Sequence, residues 1–389
     1  MFIRRNRNKV GLLIHDLSSE EWTRVSREYD GWDIVSDNGS IRPCVGCFSC
    51  WNRDPGRCAI KDGYDNMGSL IHHADEVVVI SRYTYGGFSG FVKNVFDRCL
   101  GYVLPQFEVA GGETHHQKRY DEDKSFTFIF YGHDLNEDEK NSARRYVTAV
   151  CANIRGHVKD VIFRECEDLP APERTDGRAS GRTILLNGSM RNKDGNSAKL
   201  AKQLAARLEK EAEFVDLKDW LKDLPGLVKK LENASAIVFC IPLYVDGLPS
   251  QVVRLMEKFE QEYRGGKKKI YVLANMGLYE SSQLVNLFSA VTQWSRKMGF
   301  EYCGGLGASA GELIGGLMEM ISFGKGPIKR TSEGMDLLAR AINSESKTYD
   351  IYAEPKGFPK WLFIQIANVN WDRTAKKNGI DPKEMYRQL

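Results

Sequence analysis

At 389 residues the chain is too long for one ordinary domain, and with 42% hydrophobic and 28% charged residues each of two or three domains can bury a core. The net charge of +3 is spread along the chain, which leaves no footprint for nucleic acid. No apolar run approaches the roughly 20 residues needed to cross a bilayer, so no membrane partner is expected.

The opening Arg4-Arg5-Asn6-Arg7 is basic, but the apolar stretch at 10–14 is too short for a secretion signal, and cytoplasm is the expected compartment. Short Val/Ile/Phe-rich runs predict strands at 10–14, 32–35, 76–80, 126–131 and 158–163. Amphipathic stretches between them predict helices at 20–28, 64–73, 91–100 and 137–151. A Pro- and Gly-rich polar stretch at 168–181 reads as a linker. The rhythm then returns, with strands at 183–186, 214–215, 236–240, 270–273 and 301–305, and helices at 198–209, 224–231, 251–263 and 283–298. Strands alternating with helices mean βαβ units, so each half is expected to be a five-stranded parallel sheet covered on both faces. The expected division is 1–167, the linker 168–181, 182–310, and a helical C-terminal extension over 311–389 that packs on the second domain or on a partner. Residues 74–81 align by eye with 234–241, which favours duplication. A Gly-rich insertion at 101–124 is too long for an ordinary connection and reads as a lid or a dimer arm.

Doubly wound sheets bind ligands at the carboxyl ends of strands one and three. In the second half the loop after strand one runs Asn187-Gly188-Ser189-Met190-Arg191 and reaches Asn196-Ser197 at a helix start. Gly188 lets the backbone leave the strand tightly. The hydroxyls, the Asn196 amide and the free N–H groups of the helix suit a phosphomonoester, with Arg191 adding charge. The loop after strand three, Pro242-Leu243-Tyr244-Val245-Asp246-Gly247, offers rings and backbone amides for a flat heteroaromatic group, and Tyr85-Gly86 is its counterpart in the first half.

On these residues the chain resembles the NADPH-dependent FMN reductase branch of the flavodoxin-like superfamily. Asn187 to Arg191 is similar to that family's first loop, Pro242-Leu243-Tyr244 to its ring loop, and 81–98 to an extended form of the ring loop. The resemblance implies two tandem flavodoxin-like domains of strand order 2-1-3-4-5, noncovalent FMN, reduction by NADH or NADPH, a small-molecule acceptor and usually a homodimer. Met190 stands where the family usually has proline. After the first strand of the first half comes His15-Asp16-Leu17-Ser18-Ser19-Glu20, whose acids repel a phosphate, so the first domain is expected to complete the second domain's crevice rather than hold its own flavin.

Four of the nine cysteines crowd together as Cys44-x-x-Cys47-x-x-Cys50 followed by Cys58, which argues for a local site and against a disulfide framework. The spacing resembles iron–sulfur ligation in iron–sulfur flavoproteins and suits a [4Fe–4S] cluster. Zinc and free or redox-active thiols stay open beside it. His115-His116 sits in the 101–124 insertion, and the bland loop reading outweighs a proton-donor role. Three functions follow: a flavin-dependent NAD(P)H oxidoreductase, with no side chain assigned as strong acid or base; an iron–sulfur carrier exchanging electrons with ferredoxin; or a non-catalytic binding protein.

Overall fold

The computed structural model describes residues 10–166, 173–175, 177–179, 181–191 and 195–389. Much of the linker expected at 168–181 therefore lies outside the described residues. In chain order the first half runs β1 (Gly11–His15), α1 (Ser19–Val25), β2 (Asp33–Ser36), α2 (Ser49–Asn52), α3 (Met67–His73), β3 (Glu76–Arg82), α4 (Gly90–Asp97), β4 (Val103–Ala110), β5 (Glu113–Lys118), β6 (Ser125–Gly132), α5 (Glu137–Asn153) and β7 (His157–Glu165). The second half runs β8 (Arg182–Asn187), α6 (Asn196–Ala205), β9 (Glu213–Asp216), α7 (Leu224–Glu232), β10 (Ala234–Pro242), α8 (Ser250–Glu262), β11 (Lys269–Asn275), α9 (Val285–Met298) and β12 (Glu301–Ala308). It continues through α10 (Gly311–Met320), α11 (Lys329–Asn343), β13 (Ile351–Ala353) and α12 (Lys360–Lys377).

The first sheet has the order β2-β1-β3-β6-β7 and is parallel throughout. Its central strands are buried on both faces. In β3, Val77 and Val79 pack toward α4 and α5, while Val78 and Ile80 meet the opposite layer, as a period of two requires. The helices begin where capping chemistry dictates. Ser18 with Glu21 starts α1 and Asn136 with Glu139 starts α5, both as reciprocal capping boxes, each cap worth about 1 kcal/mol.

The second sheet has the order β9-β8-β10-β11-β12-β13. It has six strands where five were expected. The sixth, β13, pairs parallel with β12 and comes from the extension expected to be wholly helical. α10 and α11 are helices packed on the second half, as expected, but α12 departs from expectation because it returns to the first half. There Trp371 lies edge-on to Phe48 and Trp51, and Asn378 donates to the Asn52 carbonyl. The 101–124 insertion forms the antiparallel β4–β5 hairpin, whose Phe107 stacks on Phe363 of α12 and whose Thr114 N–H donates to Glu280 of the second half.

The two halves repeat in detail, at an offset of 160 residues around the third strand of each. Thr84–Gly87 and Tyr244–Gly247 are both closed by a pair of backbone bonds around two left-handed residues, Tyr85 and Gly86 in one, Val245 and Asp246 in the other. This is the two-residue turn with positive φ at both central positions. For Val245, whose Cβ is branched, a φ of 38° is a strained setting. α4 and α8 pack together and cap one another: Asp97 accepts from the Ser250 N–H at 2.8 Å, and Glu257 from the Gly90 N–H at 3.0 Å. Lys124 and Lys268 likewise play one role twice, each ammonium capping a helix end through the carbonyls of His72 and Ala74 or of Glu232 and Ala234.

Candidate functional site

The chain leaves β8 through a tight, buried turn. A Cβ on Gly188 would lie 2.5 Å from Ile241 and 2.7 Å from Val252, so only glycine fits. Asn187, held by Asp216, accepts from the Ser189 N–H at 3.1 Å, and the Ser189 hydroxyl accepts from the Arg191 N–H at 3.3 Å. Met190 is buried beside them. Residues 192–194 lie outside the described residues. α6 then begins at Asn196, after an extended Gly195, with no side-chain cap among the described residues. Ser197, the next residue, accepts from the Asn275 side-chain amide at 2.6 Å. Uncapped N–H groups at a helix start are an anion-binding feature.

The adjacent strand β10 ends in Pro242, and the Leu243 N–H donates to the Asn275 carbonyl at 2.8 Å. The Tyr244–Gly247 turn follows. The structure thus brings Gly188, Ser189, Met190, Arg191, Asn196 and Ser197 to the carboxyl end of β8, and Pro242 to Gly247 to the same end of β10. Those two strands flank the point where strand order reverses. Tyr85 and Gly86 are not part of this group. Tyr85 is buried in the second half's core, and a Cβ on Gly86 would press on Gln293 of α9. The expected partnership of the two matched turns is replaced by a reciprocal exchange, in which each turn docks on the other half's helices.

The equivalent position in the first half is filled by the chain itself. Asp16 accepts from the Arg82 N–H with both oxygens at 3.1 Å and from the Tyr131 hydroxyl at 2.8 Å. Burial raises its carboxyl above the ordinary range, against the opposing pull of these bonds.

The cysteine loop of the first half sits against the crevice of the second. The Arg191 Nε donates to the Gly46 carbonyl at 3.0 Å, its guanidinium lies 4.5 Å over the Phe48 ring, and its Nη1 pairs with Glu312 of α10 at 2.8 Å. A Cβ on Gly46, itself at a φ of 62°, would lie 2.5 Å from the Tyr244 hydroxyl. Cys44, Cys47, Cys50 and Cys58 line one small cavity of about 20 Å³ together with Asp97 and Arg98. All four thiols are free. Burial pushes Cys44 up to about 12 and Cys50 well above its usual range. Among the described residues no group of three or more His, Cys, Asp or Glu is arranged to hold a metal ion. A cubane asks for something different, because its four thiolates bind separate irons and surround a volume rather than meet at a point. Four sulfurs around one void fit that request by donor chemistry. Arg98 spends all five N–H groups here: on Cys58 Sγ at 3.0 Å, on both oxygens of Asp62, and on the carbonyls of Arg42 and Ile60.

Several residues at the site had no sequence signal strong enough to single them out. Asn275 ends β11 and links the two loops of the crevice. Lys93 and Asp97 reach in from the first half. Glu312 sits on a helix expected only as part of a tail. The 160-residue offset was the usable clue, since it aligns Asp97 with Glu257. His115 touches the site indirectly: its Nδ1 lies 2.8 Å from the Asn153 side-chain oxygen, and the Asn153 amide donates to Asp246 at 2.6 Å. Burial pushes the Asp246 carboxyl up to about 6, opposed by that Asn153 bond. His116 is half-buried between Trp51 and Phe107, and the loss of solvent around its ring lowers it to about 4.

Residues 182–290 match the family model of NADPH-dependent FMN reductase. An iron–sulfur flavoprotein of Methanocaldococcus jannaschii is 33% identical over 58 residues, 15% of this chain and 29% of that protein, so the chain spans under a third of the curated relative's length. Among solved structures, an FMN-dependent NADH-azoreductase from Bacillus anthracis in complex with FMN overlaps 42% of this chain and 100% of its own at 11% identity and a TM-score of 0.31. An NAD(P)H:quinone oxidoreductase from Methanothermobacter marburgensis overlaps 43% of this chain and 98% of its own at 14% identity and a TM-score of 0.30. No described helix is long and apolar enough to cross a membrane.

Proposed function

We propose that the chain is an FMN-dependent oxidoreductase passing hydride or electrons from NADH or NADPH to a small acceptor such as a quinone or a free flavin. The observation that carries this reading is the start of α6, with no side-chain cap among the described residues, joined to the Ser189 turn on β8 beside the 242–247 turn on the neighbouring strand β10. The first turn of α6 carries partial positive charge, and with Arg191 and the hydroxyls of Ser189 and Ser197 it makes a donor set for a phosphate dianion. Bound FMN supplies the redox chemistry. The chain's own groups hold its phosphate, orient its ring against Tyr244 and keep water out.

In this reading 1–167 and 182–310 are the two flavodoxin-like units, 311–389 adds a strand to the second and a helix to the first, and the two halves take the place of the two subunits of a homodimer. The Asp16 plug leaves one flavin site per chain. FMN titrated into the purified protein and followed by quenching of flavin fluorescence should saturate at one equivalent, and the bound flavin should bleach with NADH or NADPH under nitrogen. Saturation at two equivalents refutes the plug, and no binding refutes the reading.

A second reading adds a [4Fe–4S] cluster on Cys44, Cys47, Cys50 and Cys58, making the chain a carrier that exchanges single electrons with a partner such as ferredoxin. The single void shared by the four thiols favours it. About four irons and four sulfides per anaerobically purified chain support it, and their absence removes it.

A further inference from the structure

We propose that Lys93, Asp97 and Asn153 of the first half are positioning residues for the flavin-ring turn of the second. The proposal rests on the FMN reading above. Within the turn Tyr244 and Gly247 bond to each other, and the Leu243 N–H ties its entry to the Asn275 carbonyl of β11 at 2.8 Å. Three further attachments, at its start, at its tip and at the α8 start that follows it, come from across the junction. At the start, the Lys93 ammonium donates to the Tyr244 carbonyl at 2.8 Å. At the tip, the Asn153 amide donates to the Asp246 carboxylate at 2.6 Å. At the end, Asp97 accepts from the Ser250 N–H at 2.8 Å. Lys93 and Asp97 also pair with each other, with side chains 2% and 0% exposed. Tyr146 closes the underside, since a Cβ on Gly247 would lie 2.9 Å from its ring.

A turn that carries Val245 and Asp246 at positive φ does not hold that shape cheaply by itself. Anchors outside the turn must impose it. Because the anchoring groups are buried and paired, they have one setting and transmit it to Tyr244, the turn residue against the cysteine loop. The half that cannot bind a flavin would thereby set the geometry of the one that does.

Glu257 gives an internal control. It performs on α4 the capping that Asp97 performs on α8, yet it touches neither the turn nor the phosphate loop. Lys93→Met, Asp97→Asn and Glu257→Gln should be purified as full-length protein and titrated with FMN, with the midpoint potential and visible spectrum of the bound flavin recorded. FMN affinity should fall at least tenfold in Lys93→Met and Asp97→Asn, with a shifted flavin potential and band shape, while Glu257→Gln keeps the unmodified protein's affinity and potential. Lys93→Arg, which keeps the charge, should restore part of the loss. If Lys93→Met does not fold, Asn153→Ala carries the test through the tip bond alone. Unchanged affinity and potential in the folded variants overturn the proposal, and so does an equal loss in Glu257→Gln, which would mark the effect as general damage to the junction. Failure of the unmodified protein to bind FMN removes the underlying reading first, a separate result.

Discussion

Asp62→Asn tests the Arg98 clamp on the cysteine loop. Asp62 is only 6% exposed and receives both arms of the Arg98 fork. Burial alone would raise its carboxyl. The bonds from Arg98 and from the N–H groups of Arg42 and Tyr64 outweigh that and hold it at about 2, against an ordinary 3.8. A shift of this size is worth about 2 kcal/mol, on the order of 30-fold in an opening equilibrium. The folded value is the depressed one, so the contribution is complete above the unfolded carboxylate's pKa and is lost as pH falls toward 2. The Asn variant also turns an amide donor toward the guanidinium, so 2 kcal/mol is a floor. Hydrogen exchange of peptides covering 40–64 reads the local opening directly. At pH 7 the variant should exchange at least about 30-fold faster there, and by pH 3, after correction for intrinsic rates, the free-energy gap should halve, which takes a 30-fold difference to about fivefold. A gap under about threefold at pH 7, or one that does not change with pH, refutes the reasoning.

Other substitutions probe the crevice and the core around it. Gly188→Ala drives a methyl into Ile241 and Val252; the expected cost is about 1–3 kcal/mol of stability with weakened FMN binding, read by thermal unfolding and FMN titration. Gly46→Ala combines a left-handed backbone with a close approach to the Tyr244 hydroxyl; about 1–2 kcal/mol should be lost, and the spectrum of bound flavin should change as Tyr244 is displaced. His116 is half-buried and neutral, held at about 4, below its ordinary 6.5. The unfolded chain takes up that proton first, so stability falls as pH drops from 6.5 toward 4, by about 2 kcal/mol at pH 5. His116→Phe should lack that component of the urea-unfolding pH profile, and an unaltered slope between pH 7 and 5 would contradict it.

The alternation of strand and helix made both sheets legible, because central parallel strands such as β3 and β10 are continuous apolar runs whatever their surroundings. β13 was not legible. It has three residues, and only the waiting edge of β12 makes a strand of them. The tight turn after β8 could be read because Gly188, Ser189 and the α6 start are local in sequence. The anchoring residues could not, because Lys93 and Asn153 matter through contacts 151 and 93 residues away. Tyr85 misled for the same reason: an aromatic in the matched turn looks like a ring partner until the exchange of turns buries it in the other half's core.

The return of α12 has a consequence for the order in which the molecule is completed. The cysteine loop is synthesised early, but Trp371, which closes over Phe48 and Trp51, comes some 300 residues later. So do the carbonyls of Met385 and Arg387 that receive Arg119. At roughly 5–20 residues per second the Phe48–Trp51 segment therefore waits for tens of seconds on the ribosome before Trp371 can close over it. The first half thus cannot complete its own packing until α12 has been made.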